Sequence, residues 1–190
     1  MENEELALTM GIAVIYGSSR RNGNSEQLAK RLVEGFEVDH IHLTEHHIEP
    51  IKDYRHSEKE PYPDDDYRSV IERVLAQDRL VFATPIYWYG ASGLTKTFID
   101  RWSQSLRENK DEFLAKLRGK SAWVIGIGDD EPQLKGIPLI QQFQYIFEYT
   151  GTSFEGYILG KANRPGDILE DKFALASVEE IRVKWREALN

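Results

Sequence analysis

Two short stretches hold side chains that ordinary connectors do not need. Residues 17–25, Gly-Ser-Ser-Arg-Arg-Asn-Gly-Asn-Ser, gather hydroxyl, amide and guanidinium donors into one polar turn. Residues 83–93, Ala-Thr-Pro-Ile-Tyr-Trp-Tyr-Gly-Ala-Ser-Gly, set Tyr87, Trp88 and Tyr89 among a proline and two glycines. The first composition suits an anion, because unpaired backbone N–H groups and the positive end of the helix dipole converge where a donor-rich loop enters a helix. Ser18, Ser19, Asn24 and Ser25 add side-chain donors there, and Arg20 and Arg21 add charge. The second composition suits a flat ring: Pro85 fixes a backbone angle, Gly90 and Gly93 permit close approach, and the aromatics offer apolar faces with polar tips. Each stretch alone also admits a plainer reading, a capped surface turn or aromatic packing in a core or subunit contact.

The elements around these stretches decide how they face each other. Ile12 to Tyr16 is an unbroken apolar run between Gly11 and Gly17 and predicts a strand buried on both faces. Asn24 or Ser25 can cap the helix that follows, whose Leu28, Leu32, Val33 and Phe36 share one face. A short, partly exposed strand is expected over Val38 to Leu43, and a helix from Asp65 or Asp66 through Val70, Ile71, Val74 and Leu75. Residues 45–66 hold eight acids and three prolines, so an irregular excursion is expected there. Arg79 to Thr84 is the third strand, closed by Pro85. Leu94, Phe98, Ile99 and Trp102 predict a helix, and Phe113, Leu114 and Leu117 a further short one. Trp123 to Ile127 is a fourth strand, residues 138–149 a helix ended by Gly151, and Thr152 to Leu159 a fifth strand. Asp167 and Glu170 stand at capping-box spacing before a last helix carrying Leu169, Phe173, Ile181, Trp185 and Leu189.

Five strands alternating with helices predict an α/β fold with one parallel sheet and helices on both faces. The expected strand order is 2-1-3-4-5, the flavodoxin-like arrangement, in which winding reverses between strands one and three. The donor loop and the aromatic loop then open into one crevice at the carboxyl edge of the sheet. That edge is the known place of flavin mononucleotide in such folds. A phosphate on one side and a ring on the other suit a mononucleotide whose base is flavin.

Composition narrows the chemistry further. A chain of 190 residues is expected to form a single domain over 1–190. The net charge of −8 argues against nucleic-acid or anionic-membrane partners. No apolar run approaches the roughly 20 residues of a membrane span. The acidic start, with glutamates at 2, 4 and 5, is unlike a signal peptide and gives a cytoplasmic expectation. With no cysteine, the chain has neither disulfide nor thiolate-held metal or iron–sulfur cluster, so redox chemistry requires a bound cofactor. All five histidines lie between 40 and 56 without the spacing of a zinc motif, and they are expected to be surface residues.

Three motifs together resemble the flavodoxin-like NAD(P)H-dependent FMN reductase family. They are Gly17-Ser18-Ser19-Arg20 with Gly23-Asn24-Ser25, then Thr84-Pro85-Ile86-Tyr87-Trp88-Tyr89-Gly90, then Lys96-Thr97-Phe98-Ile99-Asp100-Arg101. The resemblance implies bound FMN, NADPH or NADH as co-substrate, and a small-molecule electron acceptor such as a flavin, quinone or azo compound. It also implies a homodimer or homotetramer. It places the phosphate on Ser18, Arg20, Asn24 and Ser25, with the backbone N–H groups of Glu26 and Gln27. The ring falls along Pro85, Ile86, Tyr87, Trp88, Tyr89 and Gly90, and loop N–H groups are expected to face its N1 and O2 edge. Gly128 and Asp129 are included as ribityl or ring contacts, although Gly128 to Glu131 is more acidic than the family's glycine-rich third loop. No side chain is assigned as general acid or base. The rival reading is an FMN-binding electron carrier without nicotinamide turnover.

Overall fold

The computed structural model describes residues 10–54, 56 and 61–188. Strands β1 (Ile12–Tyr16), β2 (Val38–His42), β3 (Arg79–Pro85), β4 (Ser121–Gly128) and β5 (Ser153–Lys161) form one sheet in the order β2-β1-β3-β4-β5. Every pairing between them is parallel. The order expected from the sequence is therefore the order observed.

The sheet is buried on both faces because side chains alternate across each strand. Ala13 and Ile15 of β1, Leu80 and Phe82 of β3, and Ala122 and Val124 of β4 point to one side. There they meet α2 (Tyr67–Leu75), α3 (Gly93–Asp100), α4 (Trp102–Leu117) and α6 (Ile137–Thr150). Ile12, Val14 and Tyr16, with Val81, Ala83, Ile125 and Ile127, point to the other side, against α1 (Asn24–Leu32) and α7 (Lys172–Glu187). A short helix α5 (Pro132–Lys135) follows β4, and single 3-10 turns occupy Leu43–Glu45 and Asp167–Glu170. On the edge strand β5 the register against β4 slips between Ala122 and Trp123, a local bulge of the kind common at sheet edges.

Several expectations are corrected. The helix expected to carry Trp102 ends at Asp100 and Trp102 opens α4, which is two helical pieces meeting at Asn109, whose φ of −155° and ψ of 80° leave the helical region; the second piece is the short helix expected over Phe113, Leu114 and Leu117. Gly23 occupies the N-cap of α1, and no side chain caps it. Asp167 and Glu170 lie in a 3-10 turn, and Asp171 caps α7 by accepting from the N–H groups of Phe173 and Ala174. That shift turns Leu169 and Phe173 outward, and Ala174, Val178, Ile181 and Trp185 form the buried face. Leu189, and residues 55 and 57–60 of the expected excursion, lie outside the described residues.

The histidines are not all surface residues. His42 is buried and stacks on Tyr16 at a centroid distance of 4.2 Å, and the His40 Nδ1 sits 2.7 Å from the Tyr16 hydroxyl. Burial, followed by the fields of Lys30 at His40 and Arg21 at His42, pushes both imidazoles below their ordinary pKa. Both are accordingly neutral at pH 7. Among the described residues no group of histidines and carboxylates forms a metal cage. Nor is any described helix long and apolar enough to cross a membrane.

Candidate functional site

The donor loop begins at Gly17, where the chain leaves β1. Its N–H donates to Ala83 O at 2.9 Å, and its carbonyl accepts from the Ser92 hydroxyl at 2.6 Å. Ser92 also caps α3 by accepting from the Thr95 N–H, so the two loops are tied together at their roots. A Cβ at Gly17 would lie 1.7 Å from Thr95 Oγ1, which leaves glycine as the residue that fits. Gly17→Ala is expected to cost about 1–3 kcal/mol by overpacking. Urea unfolding would show this as a lower midpoint at constant slope.

Beyond Gly17 the loop turns back on itself. The Ser18 hydroxyl accepts from the Arg20 N–H at 3.1 Å, and Asn22 takes a left-handed φ of 54°. Helix α1 then starts at Asn24, and its first backbone bond runs from the Gln27 N–H to Gly23 O at 2.9 Å. The N–H groups of Asn24, Ser25 and Glu26 precede that bond and are the donors a helix start leaves for a ligand. Gln27 N–H, counted among the donors on sequence grounds, is closed inside the helix.

Four loops converge on one cavity of about 300 Å³ at the carboxyl edge of the sheet. Ser18, Arg20, Gly23, Asn24 and Ser25 line it from the donor loop, and Pro85, Ile86 and Tyr87 from the aromatic loop. Ile127, Gly128 and Asp129 line it from the end of β4. Ala162, Asn163 and Pro165 complete it from the loop after β5, and these the sequence reading missed. The signal for them was present: the turn Ala-Asn-Arg-Pro-Gly follows a fifth parallel strand and must emerge at the same sheet edge.

The polar groups divide by whether they already have partners. The Arg20 guanidinium and the buried Ser25 hydroxyl make no hydrogen bond to another described residue, and both line the cavity. The Asn24 side chain is engaged elsewhere. Its amide donates to Arg164 O at 2.9 Å and its oxygen accepts from the N–H of Gly166 at 2.9 Å, fastening α1 to the fourth loop. Asn24 therefore shapes the cavity wall and offers its N–H rather than its amide.

The aromatic loop is a two-residue turn. Tyr87 and Gly90 exchange N–H to O bonds of 3.1 Å each, and Trp88 and Tyr89 hold φ values of 49° and 66°. The mutual bonding and positive φ at both central positions are those of a type I′ turn, a geometry ordinarily given to Asn and Gly. Ile86 N–H donates to Ile127 O at 2.7 Å, so the N–H groups of Ile86, Tyr87 and Gly90 are all engaged within the chain. These three are committed to holding the turn and its root. Trp88 is 95% exposed at the tip.

Ile86 is the ridge of the site. A Cβ on Gly128 would come within 3.3 Å of it, and one on Gly136 within 3.0 Å, so two glycines give this side chain its place. Across the ridge lies a second cavity of about 250 Å³, lined in part by Trp88, Tyr89, Asp130 and Lys135. Lys135 pairs with Asp130 at 2.6 Å and holds its carboxyl below the ordinary range, and the Tyr89 hydroxyl reaches Asp130 at 3.4 Å. Asp129 accepts from the Asn163 amide at 3.0 Å. A larger cavity of about 690 Å³ lies between residues 51–54 and α4, but the donor loop takes no part in it. Size alone does not mark the anion site.

The fold and the four-loop crevice thus define a flavodoxin-like α/β protein with a donor-lined cavity at the carboxyl edge of its sheet. The chain belongs to the NADPH-dependent FMN reductase family, whose model matches residues 10–136. It is 51% identical over 174 residues to the NAD(P)H-dependent FMN-containing oxidoreductase YwqN of Bacillus subtilis (strain 168), covering 90% of this chain and 96% of that one. It is 25% identical to an iron-sulfur flavoprotein of Methanosarcina thermophila, covering 95% of each. Its fold superposes on the structure of a Trp repressor binding protein from Bacillus subtilis with a TM-score of 0.76. That pair is 46% identical, over 90% of this chain and 96% of the other. The protein is an NAD(P)H-dependent oxidoreductase that uses FMN.

Proposed function

We propose that the four-loop cavity holds FMN with its phosphate at the start of α1 and its ring along Pro85, Ile86 and Tyr87, and that one domain over 1–190 carries the whole activity. The observation that carries this reading is the pair of unengaged donors, Arg20 and Ser25, beside the unpaired first-turn N–H groups of α1. FMN, when bound, supplies the redox centre that takes a hydride from NADPH or NADH and passes electrons onward.

The chain's own residues bind, orient and exclude water. Ser18 Oγ remains able to donate while accepting from Arg20 N–H, so the hydroxyl and the guanidinium bracket one anion. Gly128 gives Ile86 room to form one wall of the ring site, and Asn163 fixes Asp129 at its edge. Trp88 and Tyr89 border the neighbouring cavity, where a nicotinamide or a flat acceptor can stack. The acceptor we favour is a flavin, quinone or azo compound. The assembly we favour is a homodimer or homotetramer, in which exposed rings such as Trp88 would be covered. The location we favour is the cytoplasm, and the acidic charge disfavours binding to nucleic acid or anionic membrane.

Arg20→Ala and Ser25→Ala are each expected to weaken FMN binding by about tenfold, the worth of a charge-assisted or buried hydrogen bond. Quenching of flavin fluorescence measures this. Unchanged affinity in both variants removes the phosphate assignment. Anaerobic mixing of the FMN-loaded protein with NADH and NADPH, read at the flavin absorbance band, separates the reductase from an electron carrier that nicotinamide does not reduce.

A further inference from the structure

One carboxylate stands where an anion site should least tolerate it. Glu26 lies in the first turn of α1, immediately after Ser25, and is 1% exposed. Its Oε2 accepts the Asn22 N–H at 2.6 Å, and its Oε1 lies 2.7 Å from Lys30 Nζ. Asn22 is held at its other atoms as well: its carbonyl accepts from Gln27 Nε2 at 2.7 Å, and its Oδ1 lies 3.4 Å from Lys30 Nζ. Asparagine visits the left-handed region more readily than other non-glycine residues, but nothing in the residue itself keeps it there, so its surroundings must. Three side chains of one helix face do so here.

We propose that Glu26 is a positioning residue that, with Gln27 and Lys30, locks the 20–23 turn in its anion-ready shape before FMN arrives. This rests on the placement of the phosphate at the donor loop. The carboxylate works from behind the loop, where Lys30 neutralises it and the helix dipole favours it. Burial raises the Glu26 carboxyl, but the Lys30 ammonium and the Asn22 N–H outweigh burial and keep it ionised at neutral pH. Two effects compete at this position. Charge repulsion predicts that removing the carboxylate tightens FMN. Preorganisation predicts that removing it weakens FMN, because the loop must then be ordered at the expense of binding.

The test compares FMN with riboflavin, which lacks the phosphate, on the wild type and on Glu26→Ala, Glu26→Gln, Gln27→Ala and Arg20→Ala, by fluorescence quenching. Glu26→Ala is expected to lower the FMN-over-riboflavin preference by about tenfold, the worth of one ordered hydrogen bond. Glu26→Gln keeps an acceptor for the Asn22 N–H without the charge, and its preference should equal or exceed that of the wild type. That rescue separates positioning from a general loss of structure. If Glu26→Ala fails to fold, Gln27→Ala takes its place and should lower the preference by about threefold. An unchanged or increased preference in Glu26→Ala, or in Gln27→Ala as its substitute, overturns the inference. So does an equal loss of both flavins. A preference that does not respond to Arg20→Ala overturns the phosphate placement itself, and the inference with it.

Discussion

Replacing Arg101 by alanine is expected to lower the stability of the fold by about 3–5 kcal/mol, the usual penalty for leaving one member of a buried ion pair alone. The Arg101 and Asp65 side chains are each 1% exposed and bonded to one another. Arg101 also donates to Glu49 O at 3.0 Å and to Gln104 Oε1, with its guanidinium 4.7 Å from the centre of the Tyr67 ring. Asp65 further accepts the N–H groups of Glu49 and Tyr67 at 2.9 and 3.1 Å. The pair thus pins the described ends of the irregular excursion to the junction of α3 and α4. Urea unfolding of the Arg101→Ala variant reads the loss, and a change under about 1 kcal/mol, typical of exposed pairs, would show that the latch carries no stability. The same pair sets an acid limit. Burial alone would raise the Asp65 carboxyl, but the Arg101 bonds and the two N–H groups hold it below the usual carboxylate range. Its contribution is therefore complete above about pH 4 and is lost as pH falls through the lower folded pKa. The acid slope of stability should flatten in Asp65→Asn.

The second large effect joins stability to turnover. Exchanging Trp88-Tyr89 for Asn-Gly should stabilise the protein, because two non-glycine residues in the left-handed region cost roughly 1–2 kcal/mol each. Asn-Gly is the dipeptide that type I′ turns prefer. For a chain of this size each kcal/mol corresponds to about 2–4 °C in the melting midpoint. Turnover should move the other way. Trp88 is 95% exposed beside the second cavity, and loss of its stacking surface is expected to slow reduction by NAD(P)H about tenfold. Calorimetry and anaerobic stopped-flow measure the two halves. A variant that is neither more stable nor slower would mean that the strained turn serves neither purpose.

The sequence alone determined that the sheet is parallel and that the donor and aromatic loops meet at its carboxyl edge. Uninterrupted apolar runs such as Ile12–Tyr16 can be satisfied only by burial on both faces, and parallel strands joined through helices must bring their following loops to one edge. It also determined which loops hold donors and which hold rings, since Ser18 to Ser25 and Pro85 to Tyr87 do line one cavity. Only the tertiary structure decided what each group is free to do. Asn24 and Ser25 are equivalent donors by type, yet Asn24 is engaged by Arg164 and Gly166 across 140 and 142 residues of chain, and Ser25 is not. Glu26 keeps the backbone donor expected of it, and its side chain in addition accepts the Asn22 N–H, because the turn at Asn22 folds back over the helix it precedes. His42 and Asp65 are polar types that predict exposure, yet the His42 ring is buried in a stack on Tyr16 and the Asp65 side chain is buried against Arg101. Local composition fixes what a segment can bond to. Which bonds remain open for a ligand depends on partners that folding brings from far along the chain.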